Sequence, residues 1–326
     1  MTAAATATPR IGTGLVRLVL RQHRFAAWAA LAVLVALVVE LVWLRSAMTG
    51  YLDAHHLRTA CTPDGVDCDP AAYSYVVGFR STYGDALHYN GLLLELLPLA
   101  VGAFVAGPMV ARELESGTYK FAWTQGITPA SWLATKLAVP AVALLGGLSL
   151  LAAVYTWCWH AAPAALLPGQ VWYLSFDMLG PAPVADALLA VAVGALVGLL
   201  ARRTVRAMAV ALAGVYAALS VTGDWLRRML VSPVTDLSAD VPGLVRANTW
   251  IVERGLVTAS GGRAPEPSCE VGAALNDCAA RAGARGWYLD YHPQSHFWPL
   301  QWTHTAVTLA LAVTVATTAL YWTRRR

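Results

Sequence analysis

Six stretches of this chain are apolar over about the length that one membrane crossing demands: residues 25–44, 91–110, 137–157, 183–200, 205–221 and 303–322. About 20 apolar residues in a helix span roughly 30 Å of hydrocarbon. Inside lipid every backbone N–H and C=O must be satisfied within its own segment, which leaves helices as the solution for isolated apolar runs. The composition agrees. Hydrophobic residues make up 57% of the 326 and charged residues 13%, with a mean hydropathy of +0.53. A soluble chain carries about a quarter charged residues. These values exclude an ordinary soluble enzyme and a disordered chain, and five Cys in this length exclude a disulfide mini-protein. Thirteen Trp and twelve Tyr suit a protein with two membrane–water interfaces. The expected fold is an all-α polytopic membrane protein, one transmembrane domain of six helices. The fourth and fifth spans are barely separated, so one long broken segment is the alternative. Arg202, Arg203 and Arg206 favour a tight hairpin turn at an interface instead.

Short-loop Lys and Arg set the expected orientation. With the N-terminus inside, the inner segments hold Arg10, Arg17, Arg21, Arg24, Arg112, Lys120, Lys136, Arg202, Arg203, Arg206 and Arg324 to Arg326, against two acids, Glu113 and Glu115. The short outer loop 158–180 has no Lys or Arg. Both termini are expected in the cytoplasm, and no cleavable signal peptide is expected. Residues 11–24 predict an interfacial helix, with Ile11, Leu15, Leu18 and Val19 on one face and Arg17, Arg21 and Arg24 on another. It is either a positive-inside anchor or an elbow on the inner leaflet that touches a partner.

Two outer loops are large, 46–90 and 222–301. The second is rich in Gly, Pro, Asp and Ser, and short helices are expected in it rather than an independent domain. Cys61 with Cys68, and Cys269 with Cys278, bracket short stretches of these loops. On an oxidising face such thiols pair. Of the three connectivities, the two local pairs are favoured, because their loops are already near closure. Cys158 is expected to be a free packing residue. Neither pair has zinc-site spacing. His292, His296 and His304 read as interfacial polar residues beside Trp298 and Trp302, with a metal site as the weaker alternative.

The chain has only two lysines, Lys120 and Lys136, and neither follows a Gly. There is therefore no phosphate loop of the G-x-x-x-x-G-K-[ST] type, and H-E-x-x-H and G-x-S-x-G are absent too. The most informative segment follows the second span and runs over residues 107–125, GPMVARELESGTYKFAWTQ. Glu113 and Glu115, at i and i+2, point apart on a helix. Gly117 permits a reversal, and Tyr119, Phe121 and Trp123 would lie in the interface. The expectation is a re-entrant elbow with an acidic tip facing the cytoplasm, or simply a solvated turn.

This segment resembles the permease subunits of ABC-2 type ABC transporters, in particular an actinobacterial group with a G-A-P-L-x-A-R-E-L-E-x-G-T-x-x-x-x-W-T-Q block. The likeness is close over Arg112–Thr118 and Trp123–Gln125. Residues 291–301, YHPQSHFWPLQ, are similar to a second block of that group. Here His296 stands where Arg is usual, and His304 near a usual Glu. Arg21-Gln22-His23-Arg24 is a weaker third likeness. The resemblance implies a non-catalytic exporter half in the plasma membrane of an actinobacterium. It would pair with a second permease copy, as homodimer or with a sister chain. Separate cytoplasmic ABC ATPase subunits would bind the ATP and Mg, leaving no cofactor in this chain. Arg112, Glu113, Glu115, Gly117 and Thr118 would couple it to the ATPase. Beyond the lipid bilayer and these subunits no partner is implied, and no nucleic acid.

Glu40, Glu95 and Asp186 fall within apolar spans, near their outer ends. Ionisable residues at such depth are functional candidates. They line an acidic outer mouth for cationic or amphipathic substrates, or they are hydrated or paired with Arg45. Two other classes stay open: a membrane-embedded enzyme, which would need a convergent His, Asp, Glu or Cys cluster, and a sensor or assembly protein. An ATPase partner separates the transporter from both.

Overall fold

The computed structural model describes residues 21, 24–60, 69–163, 166–167, 172–239, 249–268 and 275–325. Among the described residues, six helices are long and apolar enough to cross a membrane. They are α1 (Arg24–Ala54), α2 (Pro70–Ser116), α4 (Pro129–Trp159), α5 (Ala182–Ala201), α6 (Thr204–Leu230) and α8 (Phe297–Arg324, continuing a turn from Gln294). A short helix, α3 (Tyr119–Thr124), joins α2 to α4, and another, α7 (Leu275–Arg281), lies in the last large loop. Each expected span lies within one helix or overlaps it. Several helices run well past the apolar runs. At 1.5 Å per residue the 47 residues of α2 reach about 70 Å, twice the hydrocarbon thickness. Much of the expected 46–90 loop is therefore helix, and the expected 111–136 loop shortens to α3 and its flanks. Residues 1–20 and 22–23, which hold most of the expected interfacial helix, lie outside the described residues.

The central helix is α5. Its most apolar window is 67% buried, against 6–39% for the other five. It is the Ala- and Gly-rich span, and small residues let backbones approach where lipid offers no hydrophobic drive for association. Gly194 and Gly198, one turn apart, face α2. A Cβ on Gly194 would sit 2.5 Å from the Gly102 carbonyl oxygen, and one on Gly198 2.6 Å from that of Gly107. From the far side α6 closes the seam: a Cβ on Gly102 would meet Val215 at 2.6 Å. Helix α2 carries a π-helical turn here, Val101–Ala106, in which the Gly107 N–H bonds to the Gly102 carbonyl. Pro108 follows at once. Proline has no N–H to give the ordinary ladder, and a widened turn next to it absorbs the mismatch.

The loop after α6 departs most from expectation. Instead of short helices alone it carries a four-stranded antiparallel sheet in the order β1-β4-β2-β3. The strands are β1 (Val234–Ser238), β2 (Trp250–Thr258), β3 (Arg263–Pro265) and β4 (Ala284–His292). Runs such as Trp250-Ile251-Val252 and Trp287-Tyr288-Leu289 favour strands through aromatic and branched side chains. Gly261, at φ +81°, makes the β2–β3 hairpin turn. Tyr288 lies across Gly255, where a Cβ would be 2.7 Å from its ring. Leu256 and Trp287 meet Ala279 of α7 in a small core of their own. Trp172 ties the sheet to the bundle, with its ring 6.2 Å from Trp250 and 6.0 Å from Phe297.

The glycine seam predicts a sharp mutational contrast. Gly194→Val should lower thermal stability in detergent by about 3 kcal/mol or prevent folding. Gly146→Ala, whose Cβ meets nothing within 4 Å, should leave the melting temperature within a degree or two. Equal melting curves for the two variants would remove the seam from the account.

Candidate functional site

The α3 end of the bundle gathers α3, the α5–α6 turn and the close of α8. Helix α2 stops at Gly117, which takes φ +73° as its left-handed cap. Ser116 and Thr118 bond hydroxyl to hydroxyl at 2.9 Å. Glu113 and Glu115 diverge as their spacing requires, but neither forms an acidic tip. Glu113 turns inward. It accepts from Trp132 Nε1 at 2.8 Å and from Lys136 Nζ at 2.7 Å, both on α4. The Lys136 side chain is only 3% exposed, and a buried ammonium persists only if paired. Glu115 caps α6, accepting from the Thr204 N–H at 2.8 Å and its hydroxyl at 2.6 Å. A carboxylate at a helix N-terminus is favoured by the macrodipole. The expected acidic tip is thus corrected to two braces between helices, a half-buried one at Glu113 and an exposed one at Glu115, because donors on α4 and α6 lie within reach. Arg112, Lys120 and Phe121 face outward beside the exposed Glu115, Phe121 being 72% exposed.

The three membrane carboxylates part company. Asp186 on α5 is buried and accepts from His304 Nε2 of α8 at 3.3 Å. It does not line an open mouth. Glu95 lies on the exposed face of α2. Glu40 is exposed on α1 and accepts from Asn90 Nδ2 at 3.0 Å. Arg45 pairs with neither of these. It donates to the Trp157 carbonyl and stacks on that ring at 4.0 Å.

The structure adds partners that sequence reasoning missed. Asp177, in the short turn before α5, accepts from the buried Arg227 Nη1 at 3.1 Å, and that guanidinium lies 4.0 Å above Phe176. Asp177, Asp186 and His304 each offer a ligand atom within 4.8 Å of the others. That spacing would admit a metal ion, but Arg227 already supplies a cation at Asp177. The group is a polar network that links the turn before α5, α5 itself, α6 and α8. One signal was available: a loop with an acid and no Lys or Arg needs a cation from elsewhere. Cys158 is free and buried, and Cys278 is disulfide-bonded. Cys61, Cys68 and Cys269 lie outside the described residues.

His292 ends β4, fully buried, with its Nδ1 3.0 Å from that of His296. Burial, and secondly the His296 ring, pushes its imidazole down to about 4. Unfolded, it titrates near 6.5. The stability gained from keeping it neutral is present above about 6.5 and is lost as pH falls from there towards 4. Proteolysis of the 231–293 loop should therefore accelerate between pH 7 and 4.5, and His292→Asn should flatten that dependence. A pH profile identical in the two proteins would contradict the assignment.

The Glu113 brace is testable alone. Breaking a buried pair costs about 3–5 kcal/mol, whereas removing both charges costs far less. Lys136→Met should therefore lose about 3 kcal/mol in detergent unfolding, and adding Glu113→Gln should restore most of it. An additive double variant would show that the pair is not coupled.

Six membrane-length helices and this α2–α4 elbow frame the comparison with known families. Residues 31–227 match the family described as ABC-2 membrane transporter related, a match that covers more than half of the chain. No curated protein and no solved structure matches it. The match covers the first five membrane helices and the elbow between α2 and α4, so the chain belongs to the ABC-2 membrane transporter related family.

Proposed function

We propose that this chain is the membrane subunit of an ATP-driven exporter, working as a pair of permeases with separate ATPase subunits docked at the α3 end. The observation that carries the reading is the build of the elbow. Helix α3 presents Lys120 and Phe121 outward, while Glu113 and Glu115 brace its approach to α4 and α6. Force applied to α3 then reaches three membrane helices through short polar contacts instead of being lost in a slack loop. Arg112, Gly117 and Thr118 complete the coupling segment: Gly117 sets the reversal, and Arg112 offers charge to an acidic partner surface. ATP and Mg belong to the partner. The Lys and Arg of the inner segments support a reading with this end in the cytoplasm and the sheet outside, and a plasma membrane is part of that reading.

A groove of about 760 Å³ opens between α4, α5 and α8, lined by Leu145, Ser149, Trp157, Val184, Leu188 and Trp302. Its apolar walls suit an amphipathic cargo taken from the bilayer, which fits export better than uptake of a polar solute.

The test is a mild-detergent purification of the tagged chain from its native host. A roughly equimolar phosphate-loop ATPase should co-purify. Phe121→Asp should reduce its recovery by about tenfold or more, as expected for an exposed aromatic anchor. Glu113→Gln combined with Lys136→Met, which removes both charges of the brace, should leave the complex assembled and weaken transport. A chain that purifies without an ATPase, or an ATPase that ignores Phe121→Asp, would defeat the reading.

A further inference from the structure

A second, smaller cavity of about 210 Å³ lies at the α3 end, between α3 and the ends of α4, α5 and α8. Tyr119, Trp123, Trp132 and Trp322 supply its aromatic walls, and Arg202 supplies a guanidinium. No acid lies within ion-pairing distance of Arg202 among the described residues. The nearby carboxylates are spent, Glu113 on Trp132 and Lys136 and Glu115 on Thr204. Trp123 stands edge-on to Tyr119 at 4.7 Å, and its indole N–H is buried without an acceptor. Positive charge and an unused donor thus meet in a cavity whose aromatic walls suit the depth where lipid headgroups begin.

Arg202 itself occupies an unusual backbone position. It caps α5 at φ +54°, a left-handed conformation normally given to Gly. An L side chain there strains the turn, and the position brings the guanidinium to the cavity wall. Arg203 and Arg206 follow it in the chain and are exposed.

We propose that this cavity binds a phosphate group, carried by an anionic phospholipid of the surrounding leaflet. The guanidinium pairs with the phosphate oxygens in bidentate fashion, the Trp123 N–H offers a further donor, and the rings hold the glycerol end. The site requires only that the bundle sits in a bilayer, so it stands or falls separately from ATPase coupling.

The experiment uses the full chain, delipidated and returned to nanodiscs of phosphatidylcholine alone or with phosphatidylglycerol. Retained lipid is counted by native mass spectrometry after release. Wild type should keep one phosphatidylglycerol per chain in preference to phosphatidylcholine. Arg202→Gly, which relieves the strained turn and so should fold at least as well, should weaken that retention by about tenfold. Arg202→Lys should keep part of it. A parallel arm adds inorganic phosphate to the phosphatidylcholine discs and follows tryptophan fluorescence. An Arg202-dependent change there with no lipid preference would support the phosphate site but make the source soluble. Equal retention of both lipids with no phosphate response, or retention unaffected by Arg202→Gly in a protein of unchanged melting temperature, would overturn the proposal.

Discussion

The packing of this bundle rests on backbone-to-backbone contact at one seam. Helix α5 meets α2 where Gly194 and Gly198 lie against the carbonyls of Gly102 and Gly107, and α6 closes on the same place through Val215. Lipid tails are as apolar as leucine, so ordinary hydrophobic burial gives membrane helices little reason to prefer one another. Close approach replaces it with dense dispersion contacts. Once α5 is seated, the positions of Asp186 against His304 and of the α5–α6 turn against Glu115 follow from its geometry.

The polar chemistry of the chain is divided between the two ends of that seam. At one end Glu113 and Glu115 tie the α2 terminus to α4 and α6. At the other, Asp177 with Arg227 and Asp186 with His304 tie α5 to α6 and α8. Each contact joins separate segments, so the bundle is cross-linked by polar contacts at both ends and by glycine in between. An ion pair such as Glu113 with Lys136 is a poor source of net stability but a strong arbiter of geometry, since losing one partner is far worse than losing both.

The spans were legible because hydropathy reads what lipid demands of a segment. It says nothing of helix that continues into water, and so the 70–90 stretch of α2, with Tyr73, Tyr75 and Tyr83 among its residues, escaped it. The divergence of Glu113 from Glu115 was legible from helical spacing, but their destinations were not, for Lys136 and Thr204 lie 23 and 89 residues away. Asp186 stood out as a charge in an apolar run, while Asp177 and Arg227 fell in two different expected loops, 50 residues apart, with nothing local to pair them. The sheet was hidden for a related reason. Strand β4 pairs with β1 across a separation of about 55 residues, Thr235 facing Asp290, and a long-range pairing leaves no local periodicity to read.

The π-helical turn at Val101–Ala106 gives the length of α2 a meaning. Such a turn is an α-helix holding one residue too many, and each residue of an α-helix turns the chain by about 100°. The widened turn absorbs that residue, and forcing it back to regular α-helix with the same residue count would rotate everything beyond it by about that angle. Glu113 would swing off Lys136, and Glu115 off Thr204, although every side chain involved was still present. The second span therefore sets a phase between the membrane seam and the elbow, and that phase is written in the count of its residues as much as in their kinds.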